Sequence, residues 1–269
     1  MSLAEEKIRA REQWSHDPCG AEYAREHELG TREFFDAVER HRYRKYAPWM
    51  PELMGFNQFS GAVLLEIGCG MGTDVLQFAR GGASCIGIDL TRRSVEITRH
   101  RFELYQQRGS FMAADGEHLP FKSSIFDVVY SSGVLHHTPD TERAIREIHR
   151  VLRPGGIAKV MLYHRNSLNY WVEIVLRRGI LRGEYFRGRS AEEIMSRVIE
   201  FSEHEGRPLV KVYSRNEARA LFGQFGDVKL NVEQLTRAEL RFLSPLVSDS
   251  LFRRLSRQIG WNVIITALK

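Results

Sequence analysis

Three alternating glycines, Gly68, Gly70 and Gly72, follow an apolar run and open a helical pattern, and Glu66 stands just before them. Glycine at such a turn lets the backbone approach a ligand closely, and the start of the helix offers free N–H groups. A dinucleotide-binding fingerprint would need glycine at position 73, where the chain has Thr73. A carboxylate beside the loop attracts an amino group rather than a phosphate. The spacing therefore favours a ligand that carries a cationic amino acid over a pyrophosphate.

Acidic residues follow the next two predicted strands. Asp89 lies 19 residues after Gly70, and its two oxygens are suited to the two hydroxyls of a ribose. Asp115 and Gly116 follow the third strand, where an acceptor is suited to the amino group of an adenine. Because the carboxyl ends of parallel strands meet at one edge of an open sheet, these acids and the glycine loop are expected to form one site.

The elements that must position these residues alternate between strand and helix. Short apolar runs predict strands, and apolar residues at helical spacing predict helices. Strands separated by helices of about 10–15 residues are typical of βαβ units, so the predicted fold class is α/β with a doubly wound sheet. The predicted strands are 62–67, 84–88, 110–113, 126–130 and 157–163, the predicted helices are 73–80, 94–108 and 141–152, and a turn is predicted at 153–156.

Two helical segments flank this core and are expected to close over its ligand edge. The first is an aromatic-rich N-terminal lid, and the second is a cap inserted after the fifth strand, in which two helices are predicted within 165–206. A helix over 216–225 and strands over 227–232 and 261–267 complete the predicted sheet. The predicted division is 1–61 for the lid, 62–164 for the ligand-binding core, 165–213 for the cap and 214–269 for the C-terminal part of the core.

Six stretches carry a resemblance to a known family: 65–72 (LEIGCGMG), 86–89 (IGID), 114–121 (ADGEHLPF), 126–130 (FDVVY), 133–137 (GVLHH) and 150–156 (RVLRPGG). They resemble the core of class I S-adenosylmethionine-dependent methyltransferases, close to the small-molecule branch that includes ubiquinone- and menaquinone-pathway enzymes. The resemblance implies a Rossmann-like, seven-stranded, mostly parallel sheet with an antiparallel last strand. It also implies S-adenosylmethionine as cofactor, S-adenosylhomocysteine as product, and no metal.

The resemblance further implies a set of cofactor contacts. Glu66 and the loop glycines would hold the methionine part, and Asp89 would hold the ribose. Asp115 with Gly116 would bind the adenine, and Ser131 would line the sulfonium side. The implied cofactor residues are Glu66, Gly68, Cys69, Gly70, Asp89, Leu90, Ala114, Asp115, Gly116 and Ser131.

His136 and His137 follow the fourth strand and face the same edge of the predicted sheet. An acceptor hydroxyl must lose its proton, and histidine is the usual base near neutral pH. Plant-type O-methyltransferases carry their base in a Leu/Cys-His-x-x-x-Asp context, which His136 and Asp140 resemble. Either histidine is thus a candidate base, and the alternative is a structural or cofactor-side histidine. Candidate substrate contacts are Tyr23 in the lid and Tyr163, Asn166 and Tyr170 at the start of the cap.

The acceptor molecule is left open between several classes. We expect a small or lipid-like molecule methylated on oxygen. Carbon methylation of a quinone- or isoprenoid-like ring is the alternative, and a cofactor-binding protein without turnover is a different class. DNA-base enzymes of this fold carry Asn/Asp-Pro-Pro-aromatic where this chain has Ser-Ser-Gly-Val at 131–134. DNA is therefore not expected as a partner, and RNA is disfavoured because no RNA-binding module is visible.

Composition and charge are those of an ordinary globular protein. The 269 residues carry 39 basic and 34 acidic side chains, a net charge of +5. The three cysteines lack CxxC spacing, so a cysteine zinc site does not follow from them. The first 30 residues contain no apolar signal segment, and no apolar run reaches about 18 residues. A cytoplasmic location is expected, and the oligomeric state is not predicted.

The cap carries an unusual local charge. Residues 165–189 contain six arginines and two acids, a local +4. One apolar stripe at helical spacing accompanies them. The stripe either packs inward as a cap on the core or lets 165–189 touch a membrane surface peripherally. Its members are Leu168, Trp171, Val172, Val175 and Leu176.

Overall fold

A seven-stranded sheet forms the centre of the computed structural model, which describes residues 3–16, 18–198 and 208–269. The strands are β1 (Val63–Ile67), β2 (Ser84–Asp89), β3 (Gly109–Ala113), β4 (Phe126–Ser132), β5 (Leu152–Tyr163), β6 (Asp227–Glu233) and β7 (Asn262–Leu268). Their order is β3-β2-β1-β4-β5-β7-β6. The first five strands pair in parallel, and β7 lies antiparallel to β5 and β6. The predicted doubly wound, mostly parallel sheet with an antiparallel last strand is confirmed.

The N-terminal segment is helical, as predicted. It contains α1 (Leu3–His16), α2 (Arg32–Arg40) and α3 (Met50–Met54), with a 3-10 helix at Ala21–Ala24 and a π-helix at His41–Tyr46. Two side chains tie this segment to the sheet region. Trp49 Nε1 donates to Gln234 Oε1 at 2.9 Å, and Lys159 Nζ donates to Leu53 O at 2.8 Å. These bonds hold the N-terminal helices against the core.

Three helices connect the parallel strands: α4 (Thr73–Arg80), α5 (Arg92–Leu104) and α6 (Thr141–Val151). The predicted apolar face of α6 is fully buried. α5 begins two residues earlier than predicted because the Thr91 hydroxyl caps it, accepting a hydrogen bond from the Ser94 amide. It ends four residues earlier than predicted, and Gln106 just beyond it has a positive φ of 54°.

β5 begins at Leu152 rather than at residue 157, and the turn predicted at 153–156 is present as a bulge within it: Phe126 pairs with Leu152, Val128 pairs with Ile157, and Gly155 has a φ of +79°. Gly155 N donates to Lys269 O at 2.8 Å, and Lys269 N donates to Gly156 O at 2.9 Å. Pairing with the end of the chain therefore extends the strand through a Pro-Gly-Gly sequence that by itself favours a turn. The ends of the other strands lie within about two residues of their predicted positions.

The cap contains a π-helix at Tyr170–Leu181 (the cap helix), a 3-10 helix at Tyr185–Arg187, and α7 (Ala191–Val198). The last part of the second predicted helix, 199–206, lies outside the described residues. Ile174 of the cap helix packs with Ile194 and Met195 of α7 and with Trp261, which precedes β7. The cap is thus joined to the sheet by its own small apolar core.

The sequence left open whether the apolar stripe of the cap helix packs inward or faces outward, and in the structure it does neither as a whole. Trp171 and Leu176 are 53% and 46% exposed, whereas Ile174, which lies off the predicted stripe, is fully buried. The prediction assumed an α-helix with 3.6 residues per turn, but π-helical hydrogen bonds join residues five apart and widen the turn. A different set of side chains therefore faces the core, with Trp171 and Leu176 of the stripe exposed and its other three members half-buried.

The C-terminal part contains α8 (Arg215–Leu221), a 3-10 helix at Arg241–Leu246 and α9 (Asp249–Ile259). α8 begins at a capping box formed by Ser214 and Glu217, and it ends before the predicted residue 225. α9 was not predicted. Within the described residues, no helix combines the length and apolar character needed to cross a bilayer.

Candidate active site

A cavity of about 610 Å³ lies where the first four strands end, beneath the N-terminal helices and the cap. Residues from β1, β2 and β4 and from the loop after β3 line it on the sheet side. All predicted cofactor residues except Ser131 lie on its wall. They are Glu66, Gly68, Cys69, Gly70, Asp89, Leu90, Ala114, Asp115 and Gly116.

Ser131 does not reach the cavity. Its side chain is fully buried, and its hydroxyl donates to the Ile67 carbonyl at 3.0 Å. Because successive side chains on a strand point to opposite faces, the neighbouring Ser132 takes the position predicted for Ser131, and Gly133 lines the cavity beside it.

Gly68 and Gly70 both have positive φ angles, +75° and +52°. A Cβ on Gly68 would lie 2.2 Å from a methyl carbon of Val134, so packing alone requires glycine there. A Cβ on Gly70 would meet no atom of the described residues within 4 Å, although Gly70 lines the cavity. The loop therefore leaves space at Gly70 that a bound molecule can fill, which fits the predicted cofactor.

Asp89 is already engaged by the loop and by the start of α5. Its Oδ2 accepts a hydrogen bond from Gly70 N at 3.0 Å, and its Oδ1 accepts from Thr91 N at 2.9 Å and Thr91 Oγ1 at 3.0 Å. Burial raises the pKa of this carboxyl, while these hydrogen bonds lower it. At least three of roughly four acceptor positions are in use, so ribose hydroxyls would share the carboxylate with the loop.

Asp115 is covered by the first helix. Lys7 Nζ of α1 lies 2.6 Å from Asp115 Oδ2 and 2.5 Å from Glu117 Oε2. Burial would raise the pKa of Asp115, but hydrogen bonds from Lys7 and from the Glu117 amide bring it below its ordinary value. An adenine amino group would therefore have to share Asp115 with Lys7. The ligand atoms of Asp115, Glu117 and His118 lie within 4.8 Å of one another, as metal ligands do, yet the Lys7 ammonium already pairs with both carboxylates of this cluster.

The two histidines occupy different environments. His136 is fully buried and does not line the cavity, and neither ring nitrogen has a hydrogen-bond partner among the described residues. Burial, with His137 close by, holds the pKa of His136 well below its usual value. Asp140, which shares the spacing of the base motif with His136, instead caps α6, where its Oδ1 accepts a hydrogen bond from Arg143 N. This placement does not support a base role for His136.

His137 does line the cavity. Its Nδ1 lies 2.7 Å from the carbonyl oxygen of Leu209. A carbonyl only accepts, so Nδ1 carries the hydrogen and Nε2 carries the lone pair in the neutral ring. Of the two candidates, His137 has both the position and the tautomer that a base requires.

Of the four predicted substrate residues, two line the cavity and two do not. Tyr23 and Tyr163 line the cavity. Asn166 is exposed, and Tyr170 packs against the small core of the cap, so neither lies on the cavity wall. The cap instead contributes Asn169, Glu173 and Ile174, because the π-helix turns these side chains inward.

A charged network that no sequence pattern indicates lies beside the glycine loop. Asp74, at the start of α4, accepts hydrogen bonds from Arg42 Nε at 2.6 Å and Arg42 Nη2 at 2.5 Å. The hydroxyls of Tyr43 and Tyr130 also donate to Asp74, at 2.6 and 2.8 Å. Arg42 belongs to the N-terminal π-helix, 32 residues away, so no local spacing indicates the pair.

Glu66 is buried beside this network. Its Oε2 has no hydrogen-bond partner among the described residues, although Glu66 lines the cavity. Burial and the nearby Asp74 raise the pKa of Glu66 well above its ordinary value, and Arg42 acts in the opposite direction. A buried acceptor without a donor is costly, so the cavity presents a place for an amino group of a ligand.

Comparisons with known proteins support this geometry. Residues 65–160 match the family described as a methyltransferase domain. Phthiotriol/phenolphthiotriol dimycocerosates methyltransferase 1 of Mycobacterium ulcerans is 35% identical over 158 residues, which are 57% of this chain and 56% of that protein. The 27-O-demethylrifamycin SV methyltransferase of Amycolatopsis mediterranei is 38% identical over 100 residues, 36% of this chain and 37% of that protein. The chain thus covers less than two thirds of the length of these relatives.

A solved structure shares the fold. The S-adenosylmethionine dependent methyltransferase from Mesorhizobium loti superposes with a TM-score of 0.57 at 18% identity, covering 84% of this chain and 99% of that one. The strand order, the glycine loop and the family match agree with one another. Residues 65–160 therefore match a methyltransferase domain, and the chain has the Rossmann-like fold of the class I S-adenosylmethionine-dependent methyltransferases.

Proposed function

We propose that the protein transfers a methyl group from S-adenosylmethionine to a hydroxyl of a small or lipid-like acceptor. The observation that carries this proposal is the continuity of one cavity. The same 610 Å³ space touches the glycine loop, Asp89 and Asp115 as well as His137 and the cap. Both partners of a methyl transfer therefore have room side by side, which is what an in-line displacement needs.

The cofactor residues fit S-adenosylmethionine, which supplies a methyl group made reactive by the positive sulfur. Glu66 offers a buried carboxylate oxygen to the α-amino group, and Asp89 and Asp115 offer acceptors to the ribose and the adenine. α1 covers the nucleoside end through Lys7, so this helix must move when the cofactor enters or leaves.

An apolar wall receives the acceptor. Met50, Met161, Ile174 and Trp261 are among the apolar residues that line the cavity. His137 Nε2 takes the proton from the acceptor hydroxyl, a role that His136 cannot fill from outside the cavity. Relatives named for a phthiotriol-type lipid and for an O-demethylated rifamycin support both the lipid-like class and oxygen as the acceptor atom.

The test is a comparison of metabolites from cells with and without the protein by mass spectrometry. Products heavier by 14 Da, with the new methyl group on oxygen, are the expected result. A methyl group on a ring carbon would favour the alternative, a quinone- or isoprenoid-like acceptor of the kind handled by ubiquinone- and menaquinone-pathway enzymes. Cofactor binding without any methylated product would favour a binding protein. We propose no metal, no DNA and no RNA partner.

The location we propose is cytoplasmic, with peripheral contact to an anionic lipid surface through 165–189. The outer side of the cap exposes Trp171, Leu176, Ile180 and Leu181, and Phe186 follows at 85% exposure. A cluster of exposed apolar side chains next to basic residues is typical of segments that lie in the membrane interface. Because the inner side of the same helix lines the cavity, such contact would place the cavity beside a source of lipid-like acceptors.

A further inference from the structure

Resting on the proposed function, we infer that Arg42 binds the carboxylate of the amino-acid end of the cofactor, opposite the amino group held by Glu66. No motif of the sequence indicates this role. It follows from the position and the bonding of one guanidinium group in the N-terminal π-helix.

The guanidinium of Arg42 is held in place through Nε and Nη2, which leaves Nη1 as a further donor. Its Nε and Nη2 both bond to Asp74, which is itself held by the hydroxyls of Tyr43 and Tyr130. Its Nη1 makes no hydrogen bond to any described residue, and Arg42 lines the cavity. A planar fork held on one edge by a carboxylate presents its remaining donors in a set direction, which suits a second carboxylate.

Among the cationic side chains that line the cavity, Arg42 is the one suited to binding a carboxylate. Among the described lining residues, Lys7 and Arg42 are the only lysine or arginine. Lys7 is bound to Asp115 and Glu117 at the nucleoside end. Arg42 is bonded to Asp74. Asp74 follows the glycine loop in the chain, at the place where the amino-acid end of the cofactor is expected. A carboxylate buried there without a cation would be strongly disfavoured.

Glu66 and Arg42 then form a complementary pair for a zwitterion. Glu66 has a buried oxygen without a hydrogen-bond partner among the described residues, and it lines the same cavity as Arg42 and Asp74, which bond to each other. One negative and one positive group at the same end of a cavity match an α-ammonium and an α-carboxylate. Asp74 acts as the positioning residue that keeps Arg42 in place.

The experiment compares two ligands by calorimetry: S-adenosylhomocysteine, which carries the amino acid, and 5′-methylthioadenosine, which lacks it. Replacing Arg42→Gln should weaken S-adenosylhomocysteine roughly 10- to 150-fold, the effect of one charged hydrogen-bond partner. Binding of 5′-methylthioadenosine should stay within about twofold of wild type. Arg42→Lys should restore part of the loss, and Arg44→Gln, an exposed residue of the same helix, is the matched control.

Arg42→Gln leaves Asp74 buried without its counter-charge, so the double variant Arg42→Gln/Asp74→Asn is measured as well, with its melting temperature. A folded variant that loses both ligands equally, or that binds S-adenosylhomocysteine as wild type does, overturns the role of Arg42 alone. Wild-type protein that binds neither ligand overturns the proposed function and this inference together.

Discussion

Gly68 and Gly70 stand two residues apart, and both adopt backbone angles that other residues avoid, yet different surroundings require each of them. Gly68 is packed against Val134, so its missing side chain is needed by the folded protein itself. Gly70 faces open space on the cavity wall, so its missing side chain is needed by the ligand. We therefore expect substitution of Gly68 to affect mainly the stability of the fold and substitution of Gly70 to affect mainly ligand binding.

Replacing Gly70→Ala should cost about 1–2 kcal/mol of stability, from the positive φ. It should weaken S-adenosylhomocysteine by roughly 5- to 150-fold, because the new methyl group enters the ligand space. Gly68→Ala is the contrasting variant and should cost about 2–5 kcal/mol through backbone strain and the clash with Val134. Urea unfolding and calorimetry measure both effects. Similar losses of affinity and stability in the two variants would contradict this division.

His137→Asn should lower turnover on the true acceptor by about 10²–10⁴-fold while leaving cofactor affinity nearly unchanged. Asparagine retains a donor near the place of Nδ1 for the Leu209 carbonyl but removes Nε2, the atom proposed to take the proton. His149→Gln, at a histidine outside the cavity lining, is the control. Near-normal turnover of His137→Asn would exclude the base and leave positioning as the role of this residue.

His136 makes the folded state sensitive to acid. Its pKa is held well below 6.5 in the folded protein, so below about pH 6.5 the unfolded chain binds one more proton than the folded one. Stability from this residue is therefore complete above pH 6.5 and falls by up to about 1.4 kcal/mol per pH unit below it. His136→Leu should remove that slope in urea unfolding between pH 5 and 8 and keep turnover. Parallel pH curves for the variant and wild type would show that the ring is not buried in its neutral form.

Among the individual site residues, the sequence predicted those whose positions follow from local spacing along the chain. Glu66, Asp89 and Asp115 follow strands whose ends meet at one edge, so their spacing sufficed to bring them together. The pairs Arg42–Asp74 and Lys7–Asp115 join residues far apart in the chain, and no spacing reports such contacts. The choice between His136 and His137 depends on the short 3-10 helix that carries both, and the sequence does not fix which ring turns toward the cavity.

The cap helix has two different sides. Ile174 and Gly179 are buried, and Asn169, just before the helix, and Glu173 reach the cavity. The other side is apolar and exposed. Glu173 accepts hydrogen bonds from both Arg177 and Arg178, so these two arginines contribute less free charge than their number indicates. We therefore expect burial of apolar side chains to dominate any contact with lipid, with a smaller electrostatic part.

The double variant Leu181→Glu/Phe186→Glu should reduce sedimentation with anionic phosphatidylglycerol vesicles by at least about tenfold. These side chains are 73% and 85% exposed, and each would lose about 1.5–3 kcal/mol of burial in the interface. Leu251→Glu on α9, at 45% exposure, is the control and should bind as wild type does. Cofactor affinity should be the same in all three proteins. Wild-type protein that fails to bind vesicles even at low salt would end the membrane proposal.

Helices with a clear hydrophobic period or a capping residue could be predicted from the sequence. Elements whose shape depends on pairing with a distant segment of the chain could not. α6 shows helical spacing in its sequence, and its boundaries differ by one residue from the prediction. The π-helical turn of the cap has no recognised sequence signal, so the sequence left the inner and outer sides of this helix undecided. β5 extends through Pro154 and two glycines only because the chain end pairs with it.

Considered as a whole, the molecule builds its cavity from segments that are distant in sequence. The sheet supplies the glycine loop and the acids, the N-terminal helices supply Lys7 and Arg42, and the cap supplies Glu173 and Ile174. The core was recognisable because βαβ order and strand-end residues are local features. The closure of the cavity depends on tertiary contacts such as Trp49–Gln234, and the sequence alone does not report them.

Calorimetric titration of the purified protein with S-adenosylhomocysteine tests the central claim most directly. The wild-type protein should bind this ligand and show no binding of NAD. Asp89→Asn, which keeps the size of the side chain but removes its charge, should weaken binding by roughly 10- to 150-fold, equivalent to about 1.5–3 kcal/mol. Tight binding of NAD without binding of S-adenosylhomocysteine would contradict the account.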